Sequence, residues 1–377
     1  MKRTVKILAF ILATVCALFG FSGCKKTGKA KLTDIVDFVL EVESGREVKI
    51  LQLTDIQIID SAQCRRDDRL YPASKVAWAI ENIDNLAWKY IDYAVEQTSP
   101  DLIVLTGDNI YGEFDDKGTS IGLLIEKMDS YGIPWTLTYG NHDNETILGA
   151  RWQNEQYQNA KNCLFKRGID DAEGNGNFTI GITQGGKLTE VLFMLDSHGC
   201  VNSDKEEKVI STAGIFEGQL EWYSSVCSKL KAYNGGKNVK SLSFFHHALR
   251  AFGDGLQAYG YTSIKNYFYD ASGNTKKFSV VKIGDKNENG DWGTVNTDGE
   301  FIDGEYEVFN LFKENGTEGV FFGHQHTNAA SVTYKGVRLT FGVKSSIYDS
   351  YNSSLLGGTL IEVSANSFDV TPCYYAE

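Results

Sequence analysis

The stretch "DLIVLTGDNIY" (101–111) decides how this chain is read. Leu102 to Thr106 run without a polar break and stop at Gly107-Asp108. A short apolar run of this kind reads as a strand buried on both faces. Its end delivers the carboxylate of Asp108 to a loop, and layered α/β folds keep their chemistry in the loops at strand ends. The same pattern recurs in "ILQLTD" (50–55), "IPWTLTYGNHD" (133–143), "VKSLSFFHH" (239–247) and "GVFFGHQH" (319–326). Asp55, Asp108, Asn141, His246, His324 and His326 each follow such a run. Ligand-type residues from separate strand ends can therefore converge on one rim.

Taken singly these motifs say little. A Gly-Asp after a strand is usually a turn, and Gly-Asn-His-Asp is usually a loop closed by its own hydrogen bonds. The ordered series carries the signal, because four of the six histidines in the chain, His142, His246, His324 and His326, occupy its motif positions. Asp, Asn and His donors suit iron, zinc or manganese better than copper(I) or calcium. A pair of cations about 3.5–4 Å apart needs a carboxylate between them. Asp108 is the natural bridge, and the two imidazoles of "GHQH" can splay to different ions.

The series resembles that of the calcineurin-like metallophosphoesterase superfamily and spans roughly residues 48–345. Within it the purple acid phosphatases are most similar, because their second motif G-D-x-x-Y stands here as Gly107-Asp108-Asn109-Ile110-Tyr111. The resemblance implies an α/β fold: a four-layer sandwich of two mixed β-sheets flanked by helices. Related sequences place a histidine two residues after the first aspartate, where this chain has Gln57. In purple acid phosphatases the motif tyrosine takes that histidine's place. By resemblance, site one is then Asp55, Asp108, Tyr111 and His326, and a hard phenolate donor there favours Fe(III). Site two is Asp108, Asn141, His246 and His324, holding Fe(II), Zn or Mn. His142 contacts the phosphate or protonates the leaving group, while hydroxide on the metals attacks phosphorus in line. Asp143 either orients the His142 imidazole or closes its own loop.

Three functions follow. The first is a two-metal phosphomonoesterase. The second is a manganese or zinc phosphodiesterase in which Tyr111 only packs and Gln57 is a weak ligand. The third is a surface lipoprotein that kept the fold without activity. The remaining polar motifs read as structural. His198 is a turn residue, and His247 alternates away from the ligands. "DKNENGDWG" (285–293) begins like a calcium loop but reaches Asn296 at position twelve. "RRDDR" (65–69) is a solvated face whose arginines could meet a phosphate.

The net charge of -12 argues against nucleic acid as the main partner and leaves a small phosphorylated substrate open. Lys2, Arg3 and Lys6 precede an apolar run over 7–21 and then "FSGCKK", which resembles a bacterial lipoprotein signal. The expectation is a signal over 1–23, a lipid on Cys24 anchoring an exported protein to a membrane, a tether over 24–33 and one domain over 34–377. The five cysteines beyond Cys24 are scattered and show no C-x-x-C spacing. Helices are expected over 73–98, 120–131 and 219–233, and a long loop over 253–304. "FVLEV" and "EVKILQLTD" read as two strands around the turn "ESGRE", and "GNFTIGI" with "EVLFMLDS" as a strand pair. "VRLTFGV" and "GTLIEVS" suggest antiparallel strands near the C-terminus.

Overall fold

The computed structural model describes residues 30–377 apart from 64–68, 170–171, 200–211, 260–261, 270–274, 285, 297–305 and 365–367. The expected signal peptide, Cys24, most of the tether and most of "RRDDR" lie outside the described residues. In chain order the strands are β1 (Phe38–Val42), β2 (Val48–Leu53), β3 (Leu102–Thr106), β4 (Trp135–Thr138), β5 (Phe178–Gln184), β6 (Lys187–Met194), β7 (Ser241–Phe244), β8 (Thr262–Tyr269), β9 (Thr275–Gly284), β10 (Trp292–Asn296), β11 (Thr317–Phe322), β12 (Ala329–Tyr334), β13 (Val337–Phe341), β14 (Gly357–Val363) and β15 (Phe368–Tyr374). The α-helices are α1 (Pro72–Ala77), α2 (Lys89–Thr98), α3 (Thr119–Ser130), α4 (Gly149–Asn159), α5 (Glu217–Tyr233), α6 (Arg250–Tyr259) and α7 (Tyr306–Asn315).

The strands form two mixed sheets flanked by helices, as the resemblance implied. The smaller is ordered β15-β14-β2-β3-β4, and the larger β1-β5-β6-β7-β11-β13-β12-β10-β9-β8. Within the smaller sheet β2, β3 and β4 are parallel, with Leu51 opposite Ile103 and Leu105 opposite Leu137. Within the larger sheet β7 and β11 are parallel, with Phe244 opposite Phe321. These five strands carry the candidate ligands at their C-terminal ends.

Strand periodicity explains why both faces of the larger sheet are covered. Leu192, Met194, Leu242, Phe244 and Phe321 join the core that also holds Ile50, Val104 and Leu137 of the smaller sheet. Their neighbours Val191, Phe193, Val320 and Phe322 join a second core with Tyr223, Val226 and Leu230 of α5 and Phe309 and Phe312 of α7. Alternate side chains point to opposite faces of a strand, so one run of sequence feeds both cores.

Two expectations differ from the structure. Residues 73–98 are not one helix. Trp78 and Ala79 leave helical geometry after α1, a 3₁₀ turn (Ile80–Asn82) and a π-helical turn (Asp84–Trp88) follow, and only then does α2 begin. The expected loop over 253–304 contains α6 and the strands β8, β9 and β10, which extend the larger sheet. The Gly- and Asn-rich pieces that suggested a loop include the turn at 287–290, closed by Gly290 N–H on the carbonyl of Asn287. The two strands expected around the turn "ESGRE" are β1 and β2, which part into different sheets: β1 joins β5 and β2 joins β3. The antiparallel strands expected near the C-terminus are present as β13 and β14, paired with β12 and β15 respectively.

Among the described residues no helix is long and apolar enough to cross a membrane. Cys163, Cys227 and Cys373 are free thiols. The would-be calcium loop is closed by protein groups: Arg338 donates to the carbonyls of Gly290 and Asn289, and Asp291 accepts from Thr333 N–H at 2.8 Å.

Candidate metal centre

Five strand ends meet between the two sheets. Asp55 follows β2, Asp108 follows β3, Asn141 follows β4, His246 follows β7, and His324 and His326 follow β11. The backbone is strained where they arrive. Asp55, Gln57, Asp108 and His324 all take a left-handed φ, at 52°, 50°, 49° and 72°. Residues other than glycine rarely adopt this conformation, and its clustering marks functional sites. Gly107 and Gly323 make the close approach possible. A Cβ on Gly107 would stand 2.6 Å from Nδ1 of His246, and one on Gly323 would strike Thr54 and Asp55.

The donor atoms fall into two groups that share Asp108: Asp55, Asp108 and His326 form one, and Asp108, His246 and His324 the other. Within each group the ligand atoms lie within 4.8 Å of one another. Asn141 completes the second group, with its Oδ1 3.2 Å from His246 Nε2 and 3.0 Å from His324 Nδ1. The tautomers suit ligation. Nδ1 of His246 lies 2.9 Å from the Thr106 carbonyl, which can only accept, so Nδ1 carries the proton. Nε2 then turns its lone pair towards Asn141 and towards Asp108 Oδ1 at 3.4 Å. A lone pair aimed at oxygen acceptors calls for a positive charge between them, which is the fit expected of a cation site. His326 is arranged alike: Nδ1 is held by Ser350 Oγ at 2.9 Å and Asp349 at 3.4 Å, and Nε2 lies 3.3 Å from Asp55 Oδ1. Such outer partners fix the ring that binds a metal.

The charges respond to the same geometry. Burial would raise the carboxyl pKa of Asp55, but the bond from His326 and the charges of His326, His246 and Lys344 bring it down to about 2. Burial would lower that of His246, yet Asp108 and Asp55 push it up to about 9. His324 is driven down to about 3 by burial and by the neighbouring His246 charge.

Gln57 fills the corner where related chains carry histidine. Its Nε2 donates to Asp108 Oδ2 at 3.2 Å and its Oε1 accepts from Lys344 Nζ at 2.8 Å. A carboxylate and an ammonium fix the amide orientation, so the side chain presents N–H groups to the site, not a ligand oxygen. Lys344 is buried and also donates to the Asp55 carbonyl at 2.8 Å. Burial pulls its pKa down to about 8 against the pull of Asp55, Asp349 and Asp108. Tyr111 is buried at the rim. Its ring stacks on His142 with centroids 3.8 Å apart, and its hydroxyl accepts from Arg69 Nη2 at 2.9 Å. Burial and the nearby Asp349 charge raise its pKa, which favours the neutral phenol when no cation is present.

Asp143 does not touch the His142 ring. Its carboxylate accepts from the N–H groups of Gly140, Asn109 and Ile110 at 2.7, 2.9 and 3.1 Å, so it ties the loops after β3 and β4 together. The carboxylate on His142 is that of Glu145, 2.8 Å from Nδ1. His247 also differs from expectation. Its ring lies 4.2 Å from that of His324, at the edge of the second group, with Nδ1 3.2 Å from Ser197 Oγ. His198, expected in a turn, instead lies buried in an isolated antiparallel bridge to Ala213, with φ 57° and Nδ1 3.0 Å from the Gly214 carbonyl.

A family model described as calcineurin-like phosphoesterase matches residues 48–328. The chain belongs to the calcineurin-like phosphoesterase family. Among its relatives, an Arabidopsis thaliana protein named "Probable inactive purple acid phosphatase 29" is 24% identical over 326 residues, covering 78% of this chain and 71% of that one. "Phosphatase DCR2" of Saccharomyces cerevisiae is 29% identical over 223 residues, 55% of this chain and 35% of that one. An uncharacterised Schizosaccharomyces pombe protein is 26% identical over 205 residues, 54% of this chain and 38% of that one. The match therefore spans little more than a third of either yeast protein. Solved structures of similar fold include a purple acid phosphatase from yellow lupin seeds (10% identity, TM-score 0.46, 89% of this chain and 53% of that one). A dimetal phosphatase from Danio rerio is another (12% identity, TM-score 0.45, 87% of this chain and 100% of that one).

Proposed function

We propose that this phosphoesterase hydrolyses phosphomonoesters at a two-metal centre. Site one would be held by Asp55, Asp108, His326 and Tyr111, and site two by Asp108, Asn141, His246 and His324. The observation that carries the proposal is the pair of donor groups sharing Asp108, within reach of single cations and built on strained backbone. When bound, the two cations supply a Lewis-acid clamp on the phosphoryl oxygens and lower the pKa of the attacking water. The chain's own residues do the rest. Asp143 fixes the two loops that carry Asp108 and Asn141. The His142 N–H of the backbone holds Asp108 Oδ1 at 2.9 Å, and the imidazole donates a proton to the leaving oxygen. Asp108 and Glu145 favour the protonated ring, raising its pKa to about 9 against the opposing effect of burial.

Iron(III) is the proposed occupant of site one, with Tyr111 as its anionic donor. Gln57 offers no oxygen there, which supports a donor from elsewhere. One observation favours a second reading, a manganese or zinc phosphodiesterase without a tyrosine ligand: the Tyr111 hydroxyl is engaged by Arg69. We also propose export with a lipid on Cys24, from the "FSGCKK" stretch. Membrane fractionation of Cys24→Ser tests that, because an unchanged lipidated product would place the acyl group elsewhere.

Alanine substitution separates the roles. Asn141→Ala, His246→Ala and His324→Ala should each lower bound metal and turnover together. His142→Ala should keep both metals and lose about 10²–10⁴-fold in rate, the scale of a general acid. Equal metal loss in all four variants contradicts the division between ligands and acid.

A further inference from the structure

His142 and Glu145 are spaced three residues apart on the short 3₁₀ turn Asp143–Glu145. In that geometry side chains at i and i+3 eclipse, so a carboxylate three residues on lies directly along the imidazole. Glu145 is almost wholly buried, with a side chain 2% exposed, and its Oε2 sits 2.8 Å from His142 Nδ1. Tyr111 covers one face of the ring, with a tilt of 26° between the two planes. Gly112 closes the arrangement. Its N–H donates to the His142 carbonyl at 3.0 Å, and a Cβ there would stand 2.5 Å from Thr146 N.

We propose that Glu145 is the positioning residue for His142, holding its imidazole by Nδ1 so that Nε2 serves the reacting ester. This rests on the phosphoesterase reading above. Glu145, a buried acceptor, keeps the proton on Nδ1 and fixes the ring plane, while Tyr111 bars rotation away from the site. The proton that moves is the one on Nε2. As the P–O bond of the ester breaks, its electron pair goes to the leaving oxygen, which takes the Nε2 proton. The imidazole is left neutral, its Nδ1–H still hydrogen-bonded to Glu145, and solvent returns the lost proton. A ring free to turn would present either nitrogen, and proton transfer depends on a positioned donor within about 2.6–3.2 Å.

Glu145→Gln keeps the shape of the side chain but lets its amide face Nδ1 as donor or acceptor. The test measures kcat and KM on phenyl phosphate, whose leaving group needs a proton, and on 2,4-dinitrophenyl phosphate, whose leaving group does not. Bound metal is measured alongside. The expected result is a loss of about 10–100-fold in kcat on phenyl phosphate, part of the general-acid contribution. KM, metal content and turnover of the dinitrophenyl ester should stay within about twofold of the unsubstituted protein. Equal losses on both esters, no loss on either, or a loss of metal overturns the proposal. A second measurement does not depend on turnover. Imidazole ¹⁵N spectra of the zinc-loaded protein, taken at a pH where the His142 ring is neutral, should show its one proton on Nδ1, and this preference should weaken in Glu145→Gln. An unchanged tautomer in the variant also overturns the role of Glu145. Should the unsubstituted protein hydrolyse neither ester with any metal, the phosphoesterase reading fails, and the spectra alone decide whether Glu145 holds the ring.

Discussion

At the scale of single residues, the candidate ligands that the structure brings together were legible and their partners were not. Asp55, Asp108, Asn141, His246, His324 and His326 could be read because each follows an apolar run that had to be a strand. Glu145 and Lys344 were missed. Glu145 did leave a signal, its spacing of three from His142, but that spacing means contact only if a 3₁₀ turn forms there. Lys344 left none, since a lysine after an apolar stretch ordinarily ends in solvent. Asp143 was given a share of His142 because it is adjacent in sequence, yet adjacent side chains diverge and three backbone N–H groups compete for it. The Tyr111 reading has its own test. Tyr111→Phe removes only the hydroxyl, so site one should lose Fe(III) and any phenolate-to-iron colour. Gln57→His in the same background should restore a divalent ion and some activity without colour, because an imidazole refills the corner that Gln57 now closes. The comparison is a double-mutant cycle, since contacts around one centre do not add. Full iron content and an unchanged spectrum in Tyr111→Phe assign the donor to another group.

Among the elements, strands read more faithfully than helices and loops. An apolar run such as Leu102–Thr106 has few alternatives to a buried strand, and all five residues are buried. Residues 73–98 carry helical periodicity throughout, but Ala79 adopts an extended conformation (φ -63°, ψ 145°) and breaks the run. The strands β8 to β10 were hidden by the Gly-, Asn- and Asp-rich composition of the sequence around them. One strand carries a liability the pattern did not reveal. Glu190 of β6 is buried, with Oε1 lacking a hydrogen-bond partner among the described residues. Burial and the nearby Glu318 charge raise its pKa well above the usual carboxylate range, with Lys240 offsetting part of the effect. Folding therefore favours the protonated acid. Stability is greatest below the unfolded value of about 4.3 and falls as pH rises through the interval up to the folded value. Glu190→Gln should raise the melting temperature at pH 8, by about 1–2 °C for each kcal/mol recovered in a chain of this length. The gain should shrink to nothing near pH 4. Equal melting temperatures at pH 8 mean that the charged carboxylate is accommodated after all.

For the whole molecule, two sheets with separate strand orders bring residues from Asp55 to His326 into one centre. That long-range assembly is why the series could be recognised in sequence while its contacts could not. Gln57, Lys344 and Asp108 touch only because β2, β3 and the segment after β13 meet at the same edge. The central claim is that this meeting point binds two cations, and metal stoichiometry tests it most directly. The purified chain, stripped with chelator, is reloaded with iron, zinc or manganese and its bound metal counted by mass spectrometry. The account predicts two equivalents per chain, with metal-dependent hydrolysis of a phosphomonoester and fewer than two equivalents in His246→Ala. A folded chain that retains no more than trace metal under every loading condition would contradict it.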